Sequence, residues 1–383
     1  MEIKIIEVGS NKELNQFINF PKILYQSDKN FVFEPVSMQK EFLSHKNAFF
    51  DHSKATCFLA ISNNKIVGRI ASINNTIHNK IYDEKTGFFG FFETIENYEV
   101  AKLLLDKVVE TNQANGFQKI IGPTNLTTND SCGLLISGFN TPPVVMMPYN
   151  KDYYNDFMTK YGFIKEMDLA SYFIGDQILT SPAFGVLLKR ISDKLIASDI
   201  KIRAINYKIL AQEIIPLREV YNYSNKNNWG FIPLTENEFR KTAHQFSQFV
   251  PEKLILLVEK GKQLIGFVVA LPDLNQVFSH IKSGKLFPFG FLKFLWYKRK
   301  INNSRILILG VIDEYRNQGI DIILYKKIQE NLATMGIYHG EACYVLENNL
   351  KMNSIMKKIG GISVKKYRIY KFETGEQYEI NRY

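Results

Sequence analysis

The chain repeats one pattern of predicted strands at a spacing of about half its length, and this repeat limits the possible folds more than any other feature. Residues 55–72 form two apolar segments around the polar turn Asn63–Lys65, which predicts a β-hairpin. Residues 253–270 repeat the arrangement around Lys260–Lys262. A fold built from two copies of one unit is therefore expected.

Each hairpin is followed by a further apolar strand and a helix, and these helices end near Gly116 and Gly336. Glycine suits the left-handed residue that commonly follows a helix. A second, shorter helix closes each half at Gly162 and Gly360. The two halves therefore share their order of elements as well as their hairpins.

A chain of 383 residues is long for a single core, because domains usually contain roughly 100 to 200 residues. Its 45% hydrophobic and 22% charged residues are typical of a globular protein. We expect an α+β fold, with mixed sheets flanked by helices, in an N-terminal domain of residues 1–175 and a C-terminal domain of residues 176–383. The alternative is one large α/β domain whose internal similarity is accidental.

The N-terminus alternates like a strand and lacks the basic start and apolar run of a secretory signal. Cys57, Cys132 and Cys343 are far apart, which argues against a disulfide framework and against a zinc site. The six histidines show no metal-binding spacing. We expect a cytoplasmic protein with reduced thiols and no metal.

The net charge of +10 is compatible with nucleic acid, a membrane surface or an anionic cofactor as partner. Basic residues are dispersed and no nucleic-acid-reading motif occurs, so no nucleic acid is expected. Residues 285–300 are basic and rich in aromatic side chains, including Trp296. This segment is too short to span a bilayer of about 30 Å but suits peripheral contact at the inner face of a membrane. The alternative is that it folds back as core or as a lid.

The segment from Val311 to Asp321 has the layout of a strand, a tight turn and the start of a helix. A helix N-terminus offers unpaired N–H groups and a positive dipole end, so this layout forms an anion cradle. Gly319 allows a phosphate to approach the backbone, and Arg316 adds charge. The expected cofactor-binding residues of this loop are Val311, Arg316, Asn317, Gln318, Gly319, Ile320 and Asp321.

This loop resembles that of the GNAT acyltransferase superfamily, Arg/Gln-x-x-Gly-x-Gly/Ala, which grips the pyrophosphate of an acyl-coenzyme A. Arg316 and Gly319 match, whereas Asp321 stands where the family prefers a small residue. In the following helix, Asn349 matches the family's asparagine, and Met356 replaces the tyrosine that often protonates the leaving thiolate. The resemblance implies two tandem GNAT folds, Asn349 as a further cofactor-binding residue, and acyl-CoA or acetyl-CoA as co-substrate.

The first copy carries Glu93, Glu96 and Glu99 at the corresponding loop and no glycine where the pyrophosphate would lie. These carboxylates would repel a coenzyme A. We therefore expect the N-terminal domain to have a degenerate cofactor loop and to serve as a scaffold or as a wall for the acyl acceptor.

Acyl transfer to an amine requires a base, an acid for the thiolate, and donors for the developing oxyanion. The backbone N–H near Val311 is the expected donor, Glu347 the candidate base and Tyr344 the candidate acid. The competing interpretation is structural, because a carboxylate at a strand end is usually solvated and a strand tyrosine usually belongs to the core.

Residues 122–154 resemble the long linking segment of a bacterial group of tandem GNAT proteins that includes ceramide synthases. Within it, Asn125, Asn129, Asp130 and Tyr149 are candidate substrate-binding residues, although Asn and Asp clusters are most often turn formers. The resemblance implies transfer of an acyl group to an amine, with a long-chain, sphingoid-like amine as the leading substrate. The alternatives are acetylation of a small soluble amine and a catalytically inactive sensor that binds coenzyme A.

Overall fold

The computed structural model describes residues 2–175 and 182–374. The chain divides into two compact units. Unit 1 comprises Met1–Leu169, Phe278–Phe294 and Lys365–Tyr383, and unit 2 comprises Ala170–Val277 and Leu295–Val364. Each unit combines a mixed β-sheet with flanking helices, so the predicted α+β class is confirmed.

The helices and strands of unit 1 are taken mainly from the N-terminal half. They are β1 (Lys4–Glu7), α1 (Asn11–Leu24), α2 (Val36–Phe42), β2 (Lys54–Ser62), β3 (Lys65–Asn74), α3 (Thr76–Tyr82), β4 (Thr86–Thr94), α4 (Tyr98–Ala114), β5 (Lys119–Gly122), β6 (Leu134–Ser137) and α5 (Tyr153–Tyr161). A 3-10 turn covers Ala48–Asp51.

Four of the described elements cross a boundary between the two units. They are β7 (Ile164–Ile174), α9 (Asn275–Phe278), α10 (Phe289–Lys298) and β13 (Ile362–Glu373).

The remaining elements belong to unit 2. They are α6 (Pro182–Ala197), β8 (Ile200–Ala204), α7 (Leu210–Asn225), α8 (Glu236–Phe249), β9 (Ile255–Lys260), β10 (Gln263–Pro272), β11 (Asn303–Val311), α11 (Ile320–Ala333), β12 (His339–Leu346) and α12 (Leu350–Lys358). 3-10 turns cover Tyr207–Ile209, Glu252–Leu254 and Asp313–Tyr315.

The strand order shows the repeat that the sequence predicts. In unit 1 the order β1-β2-β3-β4-β5 is antiparallel except for the parallel pair β4–β5. In unit 2 the order β8-β9-β10-β11-β12 is antiparallel except for the parallel pair β11–β12. The parallel pair comes at the same place in both copies, and the crossover between its strands is a helix, α4 or α11.

These two crossover helices bury the same kind of stripe. Val100 and Leu104 of α4 are fully buried, and α4 packs against β3. Ile320 and Leu324 are buried at the same spacing in α11, which packs against β10 and β11. Residues four apart lie on one helix face, so an apolar pair at this spacing seats the helix on its sheet.

Local sequence signals determine where several helices begin. Ser10 caps α1, because its Oγ accepts the Glu13 N–H at 3.2 Å while the Glu13 carboxylate accepts the Ser10 N–H at 2.8 Å. Thr235 and Glu238 make the same reciprocal pair at α8. Such capping boxes satisfy two N–H groups that the helix itself leaves unpaired.

Unit 1 contains a strand from the far end of the sequence. β13 pairs antiparallel with β5, with Tyr370 opposite Gly122 and Glu373 opposite Lys119. Tyr370 is 3% exposed and belongs to the core of the unit. The division at residues 175 and 176 stays a prediction, but residues 278–294 and 365–374 group with the N-terminal half. Sequence periodicity identifies a strand and does not identify its partner.

The basic aromatic segment that the sequence analysis singled out forms α10 and the turn before it. Gly290 and Phe294 of α10 are buried, whereas Phe289, Leu292 and Trp296 are exposed. Within α10, only the side marked by Gly290 and Phe294 therefore fits the alternative that this segment serves as core. Among residues 2–175 and 182–374, no helix has the length and apolar character that a membrane crossing needs.

We predict that Tyr370→Ala destabilises the protein by about 3 kcal/mol or more, since it removes a buried aromatic ring from the core of unit 1. It also removes a hydrogen bond of 2.8 Å from the Tyr370 hydroxyl to Asn155 Oδ1. Lys366→Ala, at an exposed position of the same strand, is the matched control and should change little. Urea unfolding measures both, and equal midpoints for the two variants would contradict the placement of β13.

Candidate functional site

The loop between β11 and α11 ends in an uncapped helix N-terminus. Asn317 and Gly319 take left-handed conformations, with φ of 62° and 81°, and α11 starts at Ile320. No side chain of the described residues caps α11. The N–H groups of its first turn, at the positive end of the helix dipole, are therefore available to an anion.

A cavity of about 480 Å³ opens at this helix end. Three cationic side chains and one carboxylate are among the described residues around it, so positive charge predominates. Its lining consists of Arg190, Ile191, Lys194, Asn317, Gln318, Gly319, Asp321, Ile322 and Lys351.

The three cations come from helices on either side of the loop. Arg190 and Lys194 are four residues apart on α6, and hence on one helix face. Lys351 lies in the first turn of α12 and donates a hydrogen bond to Asn317 Oδ1. None of the three was among the residues predicted from the sequence, although the basic pair Arg190 and Lys194 at helical spacing, near the start of unit 2, was a detectable signal.

Gly319 is required by packing as well as by backbone conformation. A Cβ atom at this position would lie 2.8 Å from side-chain atoms of Ile191. The absence of a side chain lets α6 approach the loop closely, which places Arg190 and Lys194 at the cavity. Gly319 therefore determines both the conformation of the loop and the close approach of α6 to it.

Arg316 is engaged within the protein. Its guanidinium donates to the Val311 carbonyl and to the Ser224 carbonyl, each at 3.1 Å, and pairs with Asp313 at 2.8 Å. Arg316 is not among the residues that line the cavity. In this arrangement Arg316 connects the loop to α7 through the Ser224 carbonyl. A contact of Arg316 with phosphate stays a prediction.

The other predicted cofactor-binding residues differ in position. Gln318 lines the cavity and donates from Nε2 to the Glu314 carbonyl at 3.3 Å. Asp321 also lines it, and its carboxylate opposes an incoming anion. Ile320 is 1% exposed, so only its backbone can contribute. Asn349 caps α12 by accepting the Met352 N–H at 3.0 Å.

The parallel strands β11 and β12 separate partway along their length. Their registered pairs run from Asn303 with His339 to Ile306 with Ala342 and go no further. Beyond that point the guanidinium of the buried Arg305 donates twice to the Cys343 carbonyl, from Nε and Nη2, each at 3.3 Å. A side chain thus bonds the two strands where the backbone ladder ends. Residues 307–311 and 343–346 have no registered pairing with one another, and we call this unpaired stretch the strand gap.

The candidate catalytic residues lie on the β12 side of this gap. Tyr344 is half-buried, with its ring centroid 5.6 Å from the Arg305 guanidinium carbon. Glu347 is exposed and directly follows β12. Neither lines the cavity at α11. Burial raises the pKa of the adjacent Cys343 thiol, which disfavours this cysteine as a nucleophile.

Met356 lies in the core of unit 2. It is fully buried and packs in a cluster with Tyr172, Tyr325, Ala342 and Val345. A thioether there has no proton to give. Burial raises the pKa of Tyr325 well above its ordinary value, so this neighbouring phenol remains protonated.

The corresponding helix end in unit 1 is closed to anions. Asn97 caps α4, because its Oδ1 accepts the Glu99 N–H at 2.9 Å. Glu96 and Glu99 add negative charge at the same helix end. An anion would meet repulsion and an N–H group that is already bonded, which is the arrangement expected of a degenerate loop.

The strand gap in unit 1 is also closed. Registered pairs between β4 and β5 end at Phe88 and Ile121, but the next segment stays bound to β4. The Thr124 N–H donates to the Phe89 carbonyl at 2.7 Å, and Asn125 Oδ1 accepts the Phe91 N–H at 2.9 Å. Asn125, which was predicted to bind substrate, here bonds the segment after β5 to β4.

The remaining predicted substrate-binding residues make contacts within unit 1. Asp130 accepts a hydrogen bond of 2.8 Å from the Thr127 hydroxyl, and the Asn129 N–H donates to the same hydroxyl at 3.1 Å. Tyr149 donates to the Asp28 carboxylate at 3.2 Å, and burial raises the pKa of Tyr149 to about 12. These contacts match the turn-forming alternative for the loop, and substrate binding by these residues stays a prediction.

Glu93 belongs to the interior of unit 1. It accepts hydrogen bonds from Tyr25 at 2.6 Å and from Tyr154 at 2.8 Å, and it lies 3.9 Å from Arg69. Burial raises the pKa of the Glu93 carboxyl, and the charge of Arg69 opposes that shift. Of the three acidic residues noted in the sequence, this one is therefore part of a buried network.

No protein-family model matches the chain. It is 34% identical over 367 residues to protein YghO of Escherichia coli K12, covering 94% of this chain and 93% of that protein. It is 30% identical over 378 residues to the bacterial ceramide synthase of Caulobacter vibrioides, covering 96% and 97%. A tandem GNAT protein from the clavulanic acid biosynthesis pathway superposes with a TM-score of 0.58 at 10% identity, covering 98% of this chain and 99% of the other. That likeness confirms the predicted tandem GNAT fold.

We predict that Gly319→Ala destabilises the protein more than Gly336→Ala. Both glycines have positive φ, 81° and 76°, so both variants incur the left-handed penalty of about 1–2 kcal/mol. Only Gly319 has Ile191 in the way, whereas nothing lies within 4 Å of a Cβ atom at Gly336. The difference should be about 1–3 kcal/mol in chemical unfolding.

The same experiment has an internal rescue. Adding Ile191→Ala to Gly319→Ala should recover part of the excess loss, because it removes the obstructing side chain. Equal losses for the two glycine variants would contradict the close packing of α6 on the loop.

Proposed function

This chain belongs to the family of tandem GNAT proteins that includes the bacterial ceramide synthase, and from that membership we propose that it transfers an acyl group from acyl-coenzyme A to an amine. The observation that carries the proposal is the uncapped N-terminus of α11, which faces a cavity with three cations. A helix end of this kind suits the pyrophosphate of coenzyme A. The corresponding helix of unit 1 is capped and acidic, so we assign the cofactor to unit 2 alone.

In the proposed complex, N–H groups of the first turn of α11 donate to the pyrophosphate. Arg190, Lys194 and Lys351 neutralise the remaining phosphate charge from the cavity wall. Arg316 holds the loop in position through the Val311 and Ser224 carbonyls. Asp321 reduces the affinity, since its carboxylate lies on the same wall.

We place the thioester in the gap between β11 and β12. The amine nitrogen attacks the thioester carbonyl carbon, a backbone N–H near Val311 stabilises the oxyanion, and the carbon–sulfur bond then breaks. The amine loses one proton and the departing thiolate gains one. We assign the first transfer to Glu347 and the second to Tyr344. Tyr344 lies near the end of β12 and Glu347 directly follows it, and these positions support the two roles.

For the acceptor we propose a long-chain, sphingoid-like amine, because the ceramide synthase is similar along nearly the whole chain. In this proposal Asn125, Asn129, Asp130 and Tyr149 contribute to acceptor binding through unit 1. A long-chain amine resides in a membrane, so peripheral contact through residues 285–300 is part of the proposal. Acetylation of a small soluble amine is the alternative acceptor chemistry.

One observation favours a catalytically inactive protein that binds coenzyme A. Met356 occupies the position of the family's usual acid, and its thioether has no proton to supply. Incubation with palmitoyl-CoA and sphinganine, and separately with acetyl-CoA and a polyamine, distinguishes the functions. Amine-dependent thiol release together with an N-acyl product supports the enzyme, and its substrate pair identifies the acceptor class. Binding of coenzyme A without thiol release in either pair supports the sensor.

We predict that Arg190→Gln and Lys351→Gln each weaken binding of coenzyme A by about tenfold, because a hydrogen bond to a charged group contributes about 1.5 kcal/mol. Asp321→Asn should tighten binding severalfold by removing the opposing charge. Lys327→Gln, exposed on the same α11, is the matched control and should have little effect. Titration calorimetry measures all four, and unchanged affinity in both cation variants would contradict the assignment of the cavity.

A further inference from the structure

Helix α10 presents an apolar face away from the protein. Its buried side is marked by Gly290 and Phe294, one turn apart. With successive residues rotated by about 100°, Phe289, Leu292 and Trp296 lie on the outward side, and they are 75%, 63% and 64% exposed. A surface helix normally shows polar residues there. α10 therefore carries its apolar stripe where other helices meet water.

The charge along this segment of the chain has one sign. The segment 282–300 contains six lysines and arginines, and no aspartate or glutamate occurs between Asp273 and Asp313. Lys300 Nζ lies 5.4 Å from the Trp296 ring centroid, so positive charge borders the apolar surface directly. A partner that complements both properties must be apolar within and negatively charged at its surface.

The segment that leads into α10 is fixed to unit 1 before any partner arrives. The Val36 N–H donates to the Gly284 carbonyl at 3.0 Å, and Lys22 Nζ donates to the Ser283 carbonyl at 3.3 Å. A Cβ atom at Gly284 would lie 2.6 Å from Phe33, which shows how closely the turn packs. Docking through α10 would therefore not require this segment to order itself first.

We propose that α10 docks on an anionic lipid bilayer and lies in the plane of its interface. Phe289, Leu292 and Trp296 enter the boundary between headgroups and acyl chains, and the surrounding lysines contact lipid phosphates. The helix has 10 residues, which suits this orientation and not a crossing. The inference rests on the proposed function, because a long-chain acceptor is collected from a bilayer.

The test is sedimentation of the full chain with vesicles of phosphatidylglycerol and phosphatidylcholine, and with vesicles of phosphatidylcholine alone. We expect binding to the anionic vesicles at low salt and weaker binding at high salt. The triple variant Phe289→Ser, Leu292→Ser and Trp296→Ser should lower the partition coefficient by roughly tenfold or more. Lys282→Gln and Lys285→Gln should lower it by roughly fivefold each.

The matched control removes exposed apolar side chains elsewhere. Ile164→Ser and Ile215→Ser alter positions that are 58% and 57% exposed, on β7 and α7, and should leave vesicle binding unchanged. A wild-type protein that ignores anionic vesicles at low salt overturns the proposal. So does self-association of the wild type that the triple variant abolishes, since the face would then bind a second copy.

The two proposals fail separately. Vesicle binding without acyl transfer to any amine leaves the docking surface standing and removes the proposed enzyme function. Transfer to a soluble amine by a protein that does not sediment with vesicles removes the docking surface and leaves the acyltransferase function standing. Calorimetric titration with coenzyme A should give the same affinity for the wild type and the triple variant.

Discussion

The pair of hydrogen bonds from the Arg305 guanidinium to the Cys343 carbonyl joins β11 and β12 beside the last registered pair of their ladder. It satisfies a buried carbonyl just where the β11–β12 ladder stops, and an unpaired buried carbonyl would be costly. The ladder between β11 and β12 can therefore end at Ile306 and Ala342 without leaving this carbonyl unpaired. The same β11 then leads into the loop of α11, so one strand fixes both the gap and the anion cradle.

The two copies of the repeat differ by a few local substitutions. In unit 1, Asn97 caps the crossover helix and Asn125 bonds to the Phe91 N–H across the strand gap. In unit 2, no side chain of the described residues caps the helix that follows Gly319, and Arg305 bonds to the Cys343 carbonyl where the registered ladder ends. The two copies thus share their order of strands and helices and differ in the side chains at these two places. This contrast explains in physical terms why we assign the coenzyme to one copy.

Much of the fold could be predicted from the sequence, because hairpins, helix ends and the internal repeat are local signals. The pairing of β13 with β5 of unit 1 could not be predicted, since the pattern of a strand does not specify its partner. The loop around Gly319 was found from its motif, whereas Arg190 and Lys351 became apparent only when three helices were seen at one cavity. For Arg316 the motif predicted a contact with phosphate, whereas in the structure its guanidinium donates to the Val311 and Ser224 carbonyls.

The most direct test of the central claim is a crystal structure of the protein with bound coenzyme A. The account predicts pyrophosphate oxygens within hydrogen-bonding distance of the first-turn N–H groups of α11, with Arg190 or Lys351 in contact with phosphate. The pantetheine arm should run into the gap between β11 and β12. A pyrophosphate bound at the N-terminus of α4, or anywhere away from Gly319, would contradict it.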